Sequence, residues 1–334
     1  MTATTILRPD PEGIAAAAAL LRAGALVAMP TETVYGLAAD ATNPAAIAAL
    51  YAAKGRPSRN PLIVHAADAA AAGRIGAIPA EAAPLVARFW PGPLTLVVDL
   101  RPDAGIAAAV TAGLARVALR VPAHPVAQAL CRALGRPIAA PSANPSGRIS
   151  PTRAAHVLAG LGGRIAAVID AGPCAVGVES TILGCGPDGF TLLREGGVTA
   201  DAIEALIGQP LRRPAPDRDE ARPEAPGQLA SHYAPRAAVR LGVRAPGPGM
   251  VWIGFGPGCV GAALNLSPSG DPAEAAARLY DVLHEADALA GPGGLIGVAP
   301  VPDLGLGRAV NDRLSRAAAP RQSPRDAGGE TPPG

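Results

Sequence analysis

The chain is short of lysine, aromatic side chains, paired cysteines and charge, and each shortage excludes something. Lys and Arg together number 29 in 334 residues, and Lys54 is the one lysine, which leaves 28 arginines (29 − 1). Aromatics are 3% and the composition is compressed toward Ala, Arg, Gly and Pro. Charged residues are 17%, scattered rather than blocked, so wholesale disorder is not expected. The net charge of +2 supplies no global field for nucleic acid or a membrane surface, although a local basic cleft is compatible with it. Cys131, Cys174, Cys185 and Cys259 share no short paired spacing, which disfavours a zinc site or disulfide frame and favours reduced, buried thiols in a cytoplasmic protein. No run of 18 apolar residues exists, and no basic stretch leads into an apolar one at the N-terminus, so neither a membrane span nor a secretory leader is expected.

What is present is an alternation of helical and strand-like segments. Helices are expected at Ile14–Arg22, from Asn43-Pro44 onward, at Pro125–Leu134, from Ser150-Pro151 through Leu158, and at Thr199–Ile207. Strands are expected at Ala25–Met29, Leu62–His65, Leu94–Leu100, Val117–Val121, Ala166–Asp170, Ser180–Leu183 and Phe190–Arg194. That mixture predicts an α/β domain with a mixed sheet over residues 1–210. From Pro210 to Pro226 prolines and charges replace apolar periodicity, the mark of a linker, read at 211–236. A smaller α/β unit follows at 237–318, with strands at Val239–Val243, Met250–Phe255 and Leu295–Val298 and helices at Pro272–Leu289 and Gly307–Ala318. The tail, 319–334, is Pro/Gly/polar and is expected to be disordered.

Chemistry concentrates in a few loops. Lys54-Gly-Arg56-Pro-Ser-Arg59-Asn60 puts three cations and an amide between a helix end and a strand. Cations there ordinarily complement the helix dipole. Arginine would serve equally, however, and the single departure from arginine points to a compact point charge for phosphate or carboxylate oxygens. Ser142-Ala-Asn144, in a Pro/Gly-constrained loop, offers donors on one side of the backbone or satisfies its own turn. Ser150 reads as the cap of the next helix, a role compatible with anion contact. Pro30-Thr-Glu-Thr33-Val-Tyr35 is a polar loop directly after a buried strand. Arg120 and Arg194 close apolar runs and need anionic partners, structural or ligand. Val178-Glu179-Ser180 adds polar groups at a strand start, and the histidines show no metal spacing. No GxxxxGK[ST] loop and no strand-borne GxGxxG is present, so a nucleotide would be held by side chains and strand-end loops.

Taken in order, PTETVYGLAADA, KGRPSRNPLIVH, FWPGPLTLVV, VALRVPAHP, PIAAPSANPSGRISPT, ESTIL and LLREGG resemble the YrdC superfamily, closely its L-threonylcarbamoyladenylate synthases. The His232-Tyr233-Ala-Pro235 segment and the Gly-Leu-Gly-Arg308-Ala-Val-Asn-Asp312-Arg ending are similar to the long, two-domain form. The resemblance implies a twisted open mixed sheet with helices and a large positive cavity, plus a smaller Rossmann-like domain. It implies condensation of L-threonine, bicarbonate or CO2 and ATP to threonylcarbamoyl-AMP and pyrophosphate, serving adenosine 37 of tRNAs that read ANN codons. It assigns ATP contacts to Arg56, Asn60, Arg116, Ser142, Ser150, Arg194 and Tyr233. Arg116 stands where relatives often carry Thr. It assigns threonine contacts to Thr33, His65, Arg120, the backbone at Ala140, and Ser180. Lys54, Arg56, Ser142 and Asn144 match the set around the reacting carboxylate and phosphate. Mg²⁺ is implied with the nucleotide, with ligands left open. Downstream tRNA threonylcarbamoyl transferase proteins are implied as partners, with tRNA contact at most indirect and no membrane.

On this view the linker is expected to cross the pocket mouth, closed by Tyr233, because a carbamate must be kept from water. Competing readings are a carbamoyl-adenylate-forming enzyme and a non-catalytic RNA-binding or translation factor. The scattered cysteines and the short chain weigh against the first, the charge of +2 against the second.

Overall fold

A computed structural model describes residues 3–214 and 232–320. Most of the 211–236 linker, and the tail from 321, lie outside the described residues. The large sheet runs in the spatial order Thr5–Leu7, Ala167–Ile169, Val27–Met29, Gly36–Asp40, Ile138–Ala139, Ile63–His65, Arg116–Arg120, Leu94–Leu100, Thr181–Gly186, Gly189–Arg194, with Gly76–Ala77 paired beside Leu94–Leu100. Its pairings are mixed. Ile63–His65 runs parallel to Arg116–Arg120, and Leu94–Leu100 runs antiparallel to Arg116–Arg120 and parallel to Thr181–Gly186. The central strands are buried along their length, which is why they read as apolar runs without alternation.

The second sheet has four parallel strands in the order Ala238–Leu241, Leu295–Val298, Met250–Gly254, Leu264–Asn265, covered by the helices Pro272–Ala290 and Leu306–Ala318. Among the described residues no helix is long and apolar enough to cross a membrane.

Local signals set several elements. Asn43 caps Pro44–Lys54 by accepting from the amides of Ala45 and Ala46, and Gly55 ends that helix at φ +59°, turning the chain so that Arg56 leaves the helix axis. Thr199 caps Ala200–Ile207, and Asp271 caps Pro272–Ala290. The expectation at Ser150 fails. The helix there is Ala154–Leu161, and Ser150 instead donates its hydroxyl to Glu179 at 2.7 Å. Next to it Thr152 and Arg153 are drawn to Asp281 of the second unit at 2.5 and 2.8 Å. Partners distant in sequence win over the local cap.

The two units meet over a shared apolar cluster in which Val34, Ile149 and Val178 pack with Leu279, Leu283 and Val310. Each fully buried aliphatic side chain there contributes about 1.5–3 kcal/mol. At the seam Gly177 has φ +75°, and a Cβ there would lie 2.3 Å from the Ala276 carbonyl oxygen, so only glycine permits this approach.

Candidate active site

Strand ends and the loops after them line a pocket of about 50 Å³, with Arg56, Arg120, Arg194, His65, Ser142, Ser180, Thr33, Ala140 and Tyr233 in its wall. Each of these stands among the residues expected from the sequence. Lys54, Asn60, Asn144 and Ser150 are buried one layer behind it. Lys54 donates to the carbonyls of Ser142 and Asn144, both at 2.5 Å, while its own carbonyl accepts from the Ser146 amide at 2.8 Å. The lone lysine therefore braces the Ser142–Ser146 loop from behind. Burial first, and then Arg56 beside it, lower its pKa well below the usual lysine range.

Arg56 uses Nε and Nη2 on the Asn60 carbonyl, Asn60 Oδ1 and the Pro61 carbonyl, at 3.2, 2.7 and 2.8 Å. Arg120 donates to the Gly92 carbonyl, Thr33 Oγ1 and Glu32 Oε1, the last at 2.6 Å. The anionic partner that Arg120 requires is thus Glu32, from the Thr31–Val34 loop. This loop is held by Thr31, whose hydroxyl donates to the Val34 carbonyl and accepts from the amides of Thr33 and Val34. Ser180 Oγ pairs with Thr95 Oγ1 at 2.7 Å, and Arg194 donates to the Ser180 carbonyl through Nε and Nη2.

Arg116, expected at the nucleotide, does not line this pocket. It lies at the opposite end of its strand from Arg120, about 13 Å away at strand rise, and donates to the carbonyls of Val97 and Cys185 beside Asp99. A backbone clamp at the sheet's other end accounts for these contacts.

Sequence reasoning passed over Glu32, Glu179, His232, Tyr280 and Arg313 as site residues. Glu179 and His232 line the pocket. The Glu179 carboxylate accepts from Ser150, from Tyr280 OH at 2.8 Å and from Arg313 Nε at 3.0 Å. Burial pushes its pKa up, but Arg313 and then Arg194 pull it down to about 2. Tyr233 sits at φ +61°, with the Arg313 guanidinium 5.5 Å from its ring centroid. Among the described residues no group of three or more His, Cys, Asp or Glu could hold a metal ion. Glu179 in the pocket wall and Glu32 beside Arg120 are both taken by arginines. These residues do not fit a resident Mg²⁺, and no step below runs through one.

Three histidines, His65 and His232 buried and His284 half-buried, are held neutral. Burial lowers His65 and His232 to about 3 and His284 to about 4. Unfolded, each binds a proton below about pH 6.5. The folded state thus loses stability as pH falls from about 6.5 toward 4, by up to about 1.4 kcal/mol per pH unit for each histidine. Glu179 adds a loss of the same sign below about pH 4.5. The urea midpoint is expected to drop between pH 7 and pH 5. A midpoint equal or higher at pH 5 contradicts this.

A family model described as "Telomere recombination" (Sua5, YciO, YrdC) matches residues 19–196, and one described as "Threonylcarbamoyl-AMP synthase, C-terminal domain" matches residues 198–319. The threonylcarbamoyl-AMP synthase of Bacillus subtilis is 47% identical over 235 residues, 70% of this chain and 67% of that protein. The threonylcarbamoyl-AMP synthase of Pyrococcus abyssi is 40% identical over 225 residues, 67% of this chain and 66% of that protein. The crystal structure of P. abyssi Sua5 complexed with L-threonine superposes at a TM-score of 0.84 and 37% identity, covering 95% of this chain and 98% of that one.

Proposed function

The chain belongs to the Sua5/YciO/YrdC family, and from that premise we propose that its pocket joins L-threonine, bicarbonate or CO2 and ATP into threonylcarbamoyl-AMP. The observation that carries this is the convergence of Arg56, Arg120 and Arg194 with His65, Ser142 and Ser180 on one pocket. Two anions must be held there close together, a triphosphate and an amino-acid carboxylate.

The threonine amine, neutral when it reacts, attacks the carbon of CO2 and loses a proton to give a carbamate. A carbamate oxygen then attacks the α-phosphorus, the bond from that phosphorus to the bridging oxygen breaks, and pyrophosphate leaves. The barrier is one anion approaching another, so positioned cations do most of the work. Arg56 and Arg194 would face the triphosphate with Ser142. Arg120, oriented by Glu32 and Thr33, would present its remaining N–H groups to the threonine carboxylate. His65, neutral at working pH with Nδ1 unpartnered among the described residues, would hold the threonine hydroxyl or amine. Lys54, Asn60, Asn144 and Ser150 would act from the layer behind, fixing loops rather than touching phosphate. Tyr233 and His232 line the pocket, in keeping with a linker lid most of whose other residues lie outside those described.

The product would pass to tRNA threonylcarbamoyl transferase proteins that modify adenosine 37 of tRNAs reading ANN codons, in a cytoplasmic setting. Mixing the protein with ATP, bicarbonate and each amino acid in turn tests the reading. Pyrophosphate release is expected with threonine well above the rest, and release independent of the amino acid would sink it.

A further inference from the structure

We infer that Arg313, on the Leu306–Ala318 helix of the second unit, is a positioning residue of the catalytic pocket, stapling together the two strand-end segments that present Ser180 and Arg194 to it. This rests on the adenylate-forming reading above and deepens it by giving the second unit a part in that site.

One guanidinium reaches both segments. Arg313 Nε donates to Glu179 Oε2 at 3.0 Å, next to Ser180 in the chain, and Nη1 donates to the Glu195 carbonyl at 2.6 Å, next to Arg194. Ser180 and Arg194 are themselves joined, with Arg194 Nη2 2.9 Å from the Ser180 carbonyl and 3.2 Å from its hydroxyl. Arg313 has no exposed surface, lies over the ring of pocket-lining Tyr233, and is oriented by Asp312 at 2.8 Å. Tyr280, from the other helix of the second unit, closes the remaining side of Glu179.

A buried carboxylate needs a partner of opposite charge. With Arg313 absent, the next cation acting on Glu179 is Arg194, already close enough to lower its pKa. Glu179 would then draw Arg194 toward itself and off the nucleotide. The effect should fall on ATP, through Arg194, more than on threonine, whose assigned contacts at Thr33, His65, Arg120 and the Ala140 backbone lie on other strands and loops, with Ser180 alone on a stapled segment.

The test is steady-state pyrophosphate release by the full chain as wild type, Arg313→Met, Arg313→Lys and Arg313→Met/Glu179→Gln, with thermal melting of each. Threonine-dependent release by the wild type is the control, and its absence would defeat the functional reading rather than this inference. Arg313→Met is expected to raise KM for ATP about tenfold or more while KM for threonine moves less than about threefold. Adding Glu179→Gln, which removes the charge that pulls on Arg194 but does not restore the bond to the Glu195 carbonyl, is expected to lower KM for ATP about threefold or more from the single variant without returning it to wild type. Arg313→Lys, retaining charge but spanning one segment, is expected to fall between. If Arg313→Met does not fold, the lysine variant and the double variant carry the comparison. A fall in melting temperature with both KM values unchanged, an equal rise in both, or no recovery in the double variant would overturn the assignment.

Discussion

Lys54→Ala is expected to lower threonine-dependent pyrophosphate release by about a hundredfold or more, in line with the loss of one preorganised electrostatic group. Two losses coincide. The carbonyls of Ser142 and Asn144 lose the ammonium that both bond at 2.5 Å, and stranding a buried acceptor costs about 1–3 kcal/mol. The pocket also loses a cation just behind Arg56. The sharper variant is Lys54→Arg, the substitution this arginine-rich composition favours. Lys54 is 4% exposed, and its ammonium reaches both carbonyls of one short loop from a small volume. A planar guanidinium is larger and needs that loop to move, so Lys54→Arg is expected to lose most activity as well. Steady-state kinetics on the folded variants checks this. Normal turnover by Lys54→Arg would mean that the single lysine is an accident of composition.

Arg120→Met is expected to damage fold and function together, and a second substitution separates them. The arginine is buried against Glu32 at 2.6 Å, with the Ala123 amide on the other carboxylate oxygen at 3.1 Å. Removing Arg120 strands that carboxylate at a cost of about 3–5 kcal/mol. Arg120→Met/Glu32→Gln deletes both charges, and urea denaturation is expected to show most of the lost stability restored. Turnover is not expected to return, because nothing then grips the threonine carboxylate. A double variant with an unchanged KM for threonine would reduce Arg120 to one half of a structural pair.

The elements easiest to read from sequence carry their own signals. Leu94–Leu100, Pro125–Leu134 and Leu295–Val298 occupy the residues predicted, and Thr199 and Asn43 cap as their positions suggest. Gly36–Asp40 was hidden because a short strand buried on both faces shows no alternation. Ser150 misled because its hydroxyl had two outlets, an amide nearby and a carboxylate 29 residues away, and only the fold decides between them. Arg116 and Arg120 share a strand and a face, so parity could not tell the pocket end from the far end. Arg120 needed an anion by the rule for buried charge, yet that rule does not name Glu32, 88 residues distant. Arg313 meets Glu179 across 134 residues and two sheets, and no spacing in either segment announces the contact.

The most direct test follows carbon rather than pyrophosphate. The full chain, given ATP, L-threonine and isotopically labelled bicarbonate, should yield a nucleotide that carries the labelled carbon between the threonine nitrogen and the α-phosphate. That product should be absent when threonine is left out. Pyrophosphate or phosphate released from ATP with no label in any nucleotide would contradict the account, because the pocket would then cleave ATP without joining the carbamate to it.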